Sequence, residues 1–171
     1  MAETLSAEIK SSLVWLFQDT LGLTTIADAS RLEYDAPLTD GAGGGQANSL
    51  WHDLRTVAVS AHDDLSLAAL PQMIFGNSVS IDLVAVKALL IVNTETTAGE
   101  DLLVGAAASS PWSAPFGGAG HQVRVPADSC LLLVNKTAGW TVASGSSETL
   151  RVANAGTGPI DYKIVIVGIH A

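Results

Sequence analysis

The sequence predicts an all-β fold, an antiparallel β-sandwich or jelly-roll-like single domain carrying an N-terminal β-hairpin or arm. Three observations predict it. From residue 55 onward, short β-branched or Leu-rich runs are separated by Gly, Asn, Asp, Ser and Pro at the spacing of a sandwich or barrel. No stretch of that region holds a 3.6-residue apolar period over twelve breaker-free positions, which disfavours crossover helices and a parallel sheet. Several runs alternate between apolar and polar side chains, as a strand with one face in water must.

Taken in order, residues 1–54 read as an arm and joint and residues 55–171 as the sandwich. Ile9, Leu13, Leu16, Phe17 and Leu21 could line one helical face, yet Leu13-Val-Trp-Leu-Phe17 is also a good strand core. Short apolar runs do not settle that choice, and strand is the reading adopted. Gly41 to Gly45 then reads as a flexible joint between the arm and the sandwich. A free arm would leave Val14, Trp15, Leu16 and Phe17 in water at about 1.5–3 kcal/mol for each large side chain. These four residues are therefore candidate contacts with a neighbour.

Strands are predicted over residues 55–60, 64–68, 79–83, 85–92, 102–104, 122–125, 130–134, 140–143, 149–152 and 162–169. In the fourth-last residue before Pro126 and onward, Gln122 and Arg124 share one face while Val123 and Val125 share the other. Residues 163–169 are apolar on both faces except at Lys163. That pattern predicts a central strand, covered on one side by a second sheet and on the other by a neighbouring subunit or the chain's own N-terminus. Asn93, Asn135 and Asn154 each close a predicted strand, a position that suits a residue able to start turns. Residues 88–93 resemble residues 130–135 at an offset of 42, but one pair does not make a repeat array.

Composition excludes several classes of function. Eight Lys and Arg against 17 Asp and Glu give a net charge of −9, without the basic footprint that phosphate binding needs, so nucleic acid is not an expected partner. Charged residues make up 15% of the chain where about 25% is usual, which leaves a surface suited to association. Glu3 and Glu8 precede any cation and Lys87 interrupts the longest apolar stretch, so neither a secretory signal nor a membrane span is expected. The single Cys130 cannot form an intramolecular disulfide and reads as a small core residue.

No pattern for chemistry is met. Gly41 to Gly45 lacks the Lys-Ser/Thr of a phosphate loop, and Ser144-Gly-Ser-Ser147 lacks the Gly-x-Ser-x-Gly elbow of a hydrolase. Trp51-His-Asp53 and His62-Asp-Asp64 have no known metal spacing and read as solvated turn ends. The expectation is a non-enzyme with no catalytic, cofactor or metal residues. Trp112 and Phe116, in a loop rich in Pro and Gly, could plug one end of the sandwich, stack on a sugar or meet a subunit; packing is favoured. With Trp51 they complete the candidate contact residues.

The order of several motifs resembles a group of small virion proteins of tailed bacteriophages. These are Leu38-Thr-Asp-Gly-Ala-Gly-Gly-Gly-Gln-Ala-Asn48, Trp51-His-Asp-Leu-Arg-Thr56, Asp64-Leu-Ser-Leu-Ala68, Val86-Lys-Ala-Leu89, Leu102-Leu-Val-Gly-Ala-Ala107, Leu150-Arg-Val-Ala-Asn154 and Tyr162-Lys-Ile-Val-Ile-Val-Gly168. The resemblance spans residues 13–168 and matches least between Ala108 and Phe116. It implies a structural protein of the virion, made in the host cytoplasm. The expected role is a head decoration or cement protein on the outer capsid surface, with the major capsid protein and further copies of itself, as a trimer, for partners. A carbohydrate-binding module of a tail or fibre is the alternative.

Overall fold

The computed structural model describes residues 4–74 and 77–171, so Glu3 lies outside the described residues. Among the described residues, fourteen strands follow one another without an intervening helix. They are β1 (Ala7–Leu21), β2 (Thr24–Asp40), β3 (Gln46–Ala47), β4 (Ser49–Val57), β5 (His62–Ser66), β6 (Leu70–Ile74) and β7 (Asn77–Ile81). After them come β8 (Leu83–Asn93), β9 (Leu102–Gly105), β10 (Gln122–Val125), β11 (Ser129–Val134), β12 (Trp140–Thr141), β13 (Thr149–Asn154) and β14 (Ile160–His170). The fold is all-β and sandwich-like. One sheet runs β11-β8-β14-β4 with β12 added on β8, and the other runs β10-β9-β13-β5. Within both sheets every pairing is antiparallel.

The core lies between the sheets because strand alternation sends one set of side chains inward from each. Leu89, Ile91, Ile164 and Ile166 come from the first sheet and Leu102, Val104, Leu150 and Val152 from the second, all fully buried. β14 is central, hydrogen-bonded to β4 and to β8. Its inner residues Ile160, Tyr162, Ile164 and Ile166 enter the core. On its outer face Val165 and Val167 pack with Ala88, Leu38, Ala47, Leu5, Ala7 and Ile9. Of the two covers open to this strand, the protomer itself supplies the chain's own N-terminal segment.

The sandwich begins earlier than residue 55. β4 starts at Ser49 because alternation holds from there: Ser49 and Trp51 are buried while Leu50 and His52 are exposed. The Trp51 indole fills the core and donates its Nε1–H to the Pro71 carbonyl at 2.9 Å, so it is not a surface contact. The arm's root likewise belongs to the protomer core, since Ala36 and Leu38 are buried.

Nor is the Gly41 to Gly45 segment a loose joint. Thr39 N–H donates to the Gly45 carbonyl, Gly41 N–H to Ala47 and Gly45 N–H to Lys136, closing a tight turn between β2 and β3, which pair parallel. Gly41 has φ +130° and Gly45 φ +74°, conformations that glycine adopts without steric cost. The buried Lys87 reinforces the turn. It sits where the β8–β14 register shifts, and its ammonium donates to the Gly43 and Thr137 carbonyls at 3.3 and 2.6 Å. Burial pushes the Lys87 pKa down. A Cβ on Gly168 would collide with the Ala85 carbonyl, so this irregularity also requires glycine in β14.

The similar segments 88–93 and 130–135 are neighbouring antiparallel strands, with Ala88 opposite Val134 and Asn93 opposite Ser129. They share an environment and are not stacked repeat units. The strand-closing asparagines have a specific task. Asn93 is buried, donates Nδ2–H to the Glu100 and Val125 carbonyls at 2.8 and 3.2 Å, and accepts from Glu95 N–H at 3.1 Å. Asn154 does the same for Val57, Gly158 and Gly156. Each replaces backbone pairing that ends with its strand.

Asn93→Ala leaves two buried carbonyls without a donor, at about 1–3 kcal/mol for each. The expected outcome is a loss of about 2–4 kcal/mol and a fall in Tm of roughly 5–15 °C for a chain of this length. Thermal unfolding followed by circular dichroism checks it; a Tm within a degree or two of wild type would refute the assignment.

Candidate functional site

The outlying element is the β1–β2 ribbon. Its fifteen paired positions run from Ala7 opposite Leu38 to Leu21 opposite Thr24, a length of about 50 Å at ~3.4 Å per residue. Period-2 alternation sorts the side chains onto two faces. One carries Glu8, Lys10, Ser12, Arg31, Glu33 and Asp35, with ion pairs from Lys10 to Glu8 and from Arg31 to Glu33. The other carries Ile9 with Ala36, then Leu13 with Leu32, Trp15 with Ser30, Phe17 with Asp28 and Ile26 with Asp19. At the root this apolar face is seated on the outside of β14 and β8.

Beyond the root, the apolar face is largely uncovered among the described residues. Leu13 is 66% exposed, Phe17 72% and Leu32 69%, with Ile26 and Tyr34 also in water. A lone two-stranded hairpin is marginal in water, and stability of this length requires packing of its apolar face. Val14, Leu16 and the half-covered Trp15 are exposed too, although alternation turns Val14 and Leu16 toward the polar face. The strand reading of residues 9–21 therefore matches β1, and the four residues Val14 to Phe17 stand on the free part of the ribbon as a candidate contact surface.

Trp112 and Phe116 are placed differently. Trp112 is 2% exposed, and its Nε1–H donates to the Thr141 carbonyl at 3.1 Å. Phe116 and Trp140 meet it edge to face, at centroid distances of 6.2 and 6.3 Å. The three rings plug one end of the core, a geometry worth about 0.5–1.5 kcal/mol per pair beyond area burial. The Pro- and Gly-rich loop is the wrapping of that plug. Trp112 is thus core, like Trp51, and neither offers a contact surface.

Sequence reading missed the main polar cluster, because its members come from three strands. Asp63 of β5 accepts from the Arg55 guanidinium of β4, through Nε and through Nη2 at 3.0 Å, and from the Tyr162 hydroxyl of β14 at 2.7 Å. Arg55 also donates to Asp53 at 2.9 Å. This group fastens one sheet to the other and is no solvated turn end. Burial, followed by the bond to Asp63, pushes the Tyr162 hydroxyl pKa up, while Asp63 holds the Arg55 pKa up. On β13, Arg151 grips Asp64 of β5 through two bonds of 2.7 Å and holds the Asp64 pKa down. His62 lies 3.6 Å from Asp64.

Glu100 forms a second isolated site. Its carboxylate accepts from the Gly158 and Thr157 N–H groups and from the Thr157 hydroxyl at 2.8 Å, and these donors hold its pKa down, Gly158 most. A Cβ on Gly156 would strike it, so glycine lets the turn close on the carboxylate. Among the described residues, no group of three or more His, Cys, Asp or Glu is arranged to hold a metal ion. A cleft of about 620 Å³ lies between the N-terminal segment, β6–β7 and the C-terminus, with Asn48, Gln72, Ser80, Asp82 and His170 on its walls. Cys130 is exposed on β11, not buried, because alternation gives the inward positions to Leu131 and Leu133.

Two outcomes follow from this placement. Trp112→Ala is expected to cost about 3–5 kcal/mol, as for other large core truncations, whereas the ribbon substitution Phe17→Ala should stay within about 0.5 kcal/mol for the isolated protomer. Denaturant unfolding of both variants checks the contrast. Asp64 and Glu100 have folded pKa values below their ordinary 3.8 and 4.5, so their stabilisation is complete above about pH 5 and is lost as pH falls through the lower folded values. Acid titration of Glu100→Gln should therefore show a shallower loss of stability below about pH 4 than wild type.

Comparison of the chain with protein families, with curated proteins and with solved structures finds no match.

Proposed function

We propose that this protein is a structural component of a tailed-bacteriophage particle, a decoration or cement protein that binds the outside of the major capsid protein shell and stabilises the head. The observation that carries the reading is the β1–β2 ribbon, an element whose apolar face is docked at one end and open over the rest of its length. On that face Leu13, Phe17, Leu21, Ile26 and Leu32 stand in water and represent on the order of 10 kcal/mol of burial available to an assembly, before ordering costs. Arg55, Asp63, Tyr162 and Glu100 are engaged within the fold itself.

Composition supports the same reading. A shell accessory present in many copies needs seams poor in charge, since an unpaired buried charge costs several kcal/mol. With 15% charged residues and a net charge of −9, this chain suits such seams and is repelled by packaged DNA, which favours the outer surface. The order of the motifs between residues 13 and 168 supports a virion protein. A homotrimer is the proposed assembly. Enclosure of Trp112 favours the decoration reading over the alternative, a carbohydrate-binding or adhesion module of a tail or fibre.

Copy number tests the reading: in purified particles the protein should approach the major capsid protein in amount or stand at a simple fraction of it, and a count of tens or fewer would refute it. A trimmed chain supplies a second test. Joining Ser11 to Tyr34 through Asn-Gly removes the free ribbon and retains the docked root. Its Tm as a monomer is expected to stay within a few degrees of wild type, while binding to heads lacking the protein is abolished. Wild-type head binding by the trimmed chain would remove the ribbon from the mechanism.

A further inference from the structure

We propose that the free ribbon of one copy lies on the outer face of the five-stranded sheet of a second copy, extending between protomers the interface that the ribbon's root makes within one. This inference rests on the reading of the chain as a self-assembling structural protein, and it names the surface that receives the ribbon.

Continuity is the first argument. Ile9, Ala7 and Leu38 of the ribbon's apolar face are seated on Ala88 and Val167 of the sheet's outer face. Both surfaces run on past that contact. Along the ribbon the face continues through Leu13, Leu32, Phe17 and Ile26. Across the sheet, register sets Leu132, Leu90 and His52 in the next row, beside the Val165 that the root already covers, and Cys130, Val92, Lys163 and Leu54 in the row after it. Leu54 is 66% exposed, and Leu90, Val92 and Leu132 are half-buried. The ribbon's side-chain chemistry and the sheet's are thus already matched once inside the protomer.

The free part of the ribbon, from Ser11 to Leu21, has eleven residues in each strand, about 37 Å at ~3.4 Å a residue. Charge agrees. The charged groups on the ribbon's apolar face are the carboxylates of Asp19 and Asp28 near its tip. The receiving rows hold the ammonium of Lys163, which makes no ion pair among the described residues. Stacking ribbons in parallel would instead set Asp19 and Asp28 against their own copies, which is destabilising. The contact joins two different patches, so it is heterologous, and a rotation that closes it generates a ring such as the proposed trimer.

Complementation tests the inference. Phe17→Asp spoils the ribbon and Leu54→Asp spoils the receiving sheet, both at exposed positions where the protomer fold is retained, as circular dichroism and Tm can verify. Each variant alone is expected to self-associate about thirtyfold more weakly or worse, the loss of one interface hot spot. Mixed, they should form a one-to-one heterodimer in sedimentation velocity, because the intact ribbon of Leu54→Asp meets the intact sheet of Phe17→Asp. If Leu54→Asp assembles like wild type while Phe17→Asp does not, ribbons pair with ribbons and the inference is overturned. Wild-type protein that stays monomeric at micromolar concentration also overturns it. Particle copy number and head binding are read independently of these outcomes, so the decoration reading stands or falls separately.

Discussion

The structure depends on keeping β14 dry on both faces. A strand apolar on its inner and outer sides cannot end a two-layer sandwich, because the outer row would remain in water at about 25 cal/mol for each Å². Here the chain returns its own N-terminus to that outer face, and Leu5, Ala7, Ile9 and Leu38 cover Val165 and Val167. This third layer fixes the root of the β1–β2 ribbon and therefore the direction in which the rest of it projects. The Gly41–Gly45 turn and the buried Lys87 hold β2 against the sheet at that point. The exposed ribbon is a consequence of how the core is closed.

Polar groups inside the molecule serve the same economy of shape. Asn93 and Asn154 terminate strands by supplying donors where the ladder stops, and Glu100 gathers the N–H groups of the Thr157–Gly158 turn. Arg55, Asp63 and Tyr162 tie β4 and β14 to β5 across the sandwich margin. Among the described residues, no buried side-chain nitrogen or oxygen lacks a hydrogen-bond partner. Such fully satisfied networks specify register and sheet orientation more than they add net stability, since ion pairs repay their desolvation only in part. The aromatic plug of Trp112, Phe116 and Trp140 closes one end of the core by packing alone.

This way of closing the core leaves the free part of the ribbon exposed. One face of the ribbon carries the Lys10–Glu8 and Arg31–Glu33 ion pairs toward the root, and toward the tip large apolar side chains stand in water on both faces, where burial would gain by desolvation. A flexible tether would pay a large ordering cost on docking, whereas a paired ribbon emerging from a fixed root pays less. Pre-organisation of this kind suits repeated, identical contacts in a symmetric assembly.

The sequence by itself determined the strands and their faces, because alternation and breakers act over two to ten residues. Residues 122–125 coincide with β10, residues 162–169 lie within β14, and the two-sided apolar pattern there announced a third covering layer. Its ends were less legible: Ser49 to Leu54 looked like joint because charged and apolar residues mix there, and only the core seat of Trp51 makes them strand. The free ribbon was visible in the run Val14 to Phe17, whereas the burial of Trp112 was not, since an aromatic in a loop has the same local pattern whether it faces water or a core. Tertiary structure alone decided which groups meet. Tyr162 lies 99 residues from Asp63, Cys130 is turned outward by the leucines beside it, and the glycine segment is a turn because Lys87 of β8 and the Lys136 carbonyl in the turn after β11 reach it. Long-range contacts of this sort leave no local periodicity, so their chemistry is absent from the pattern of neighbours and present only in the fold.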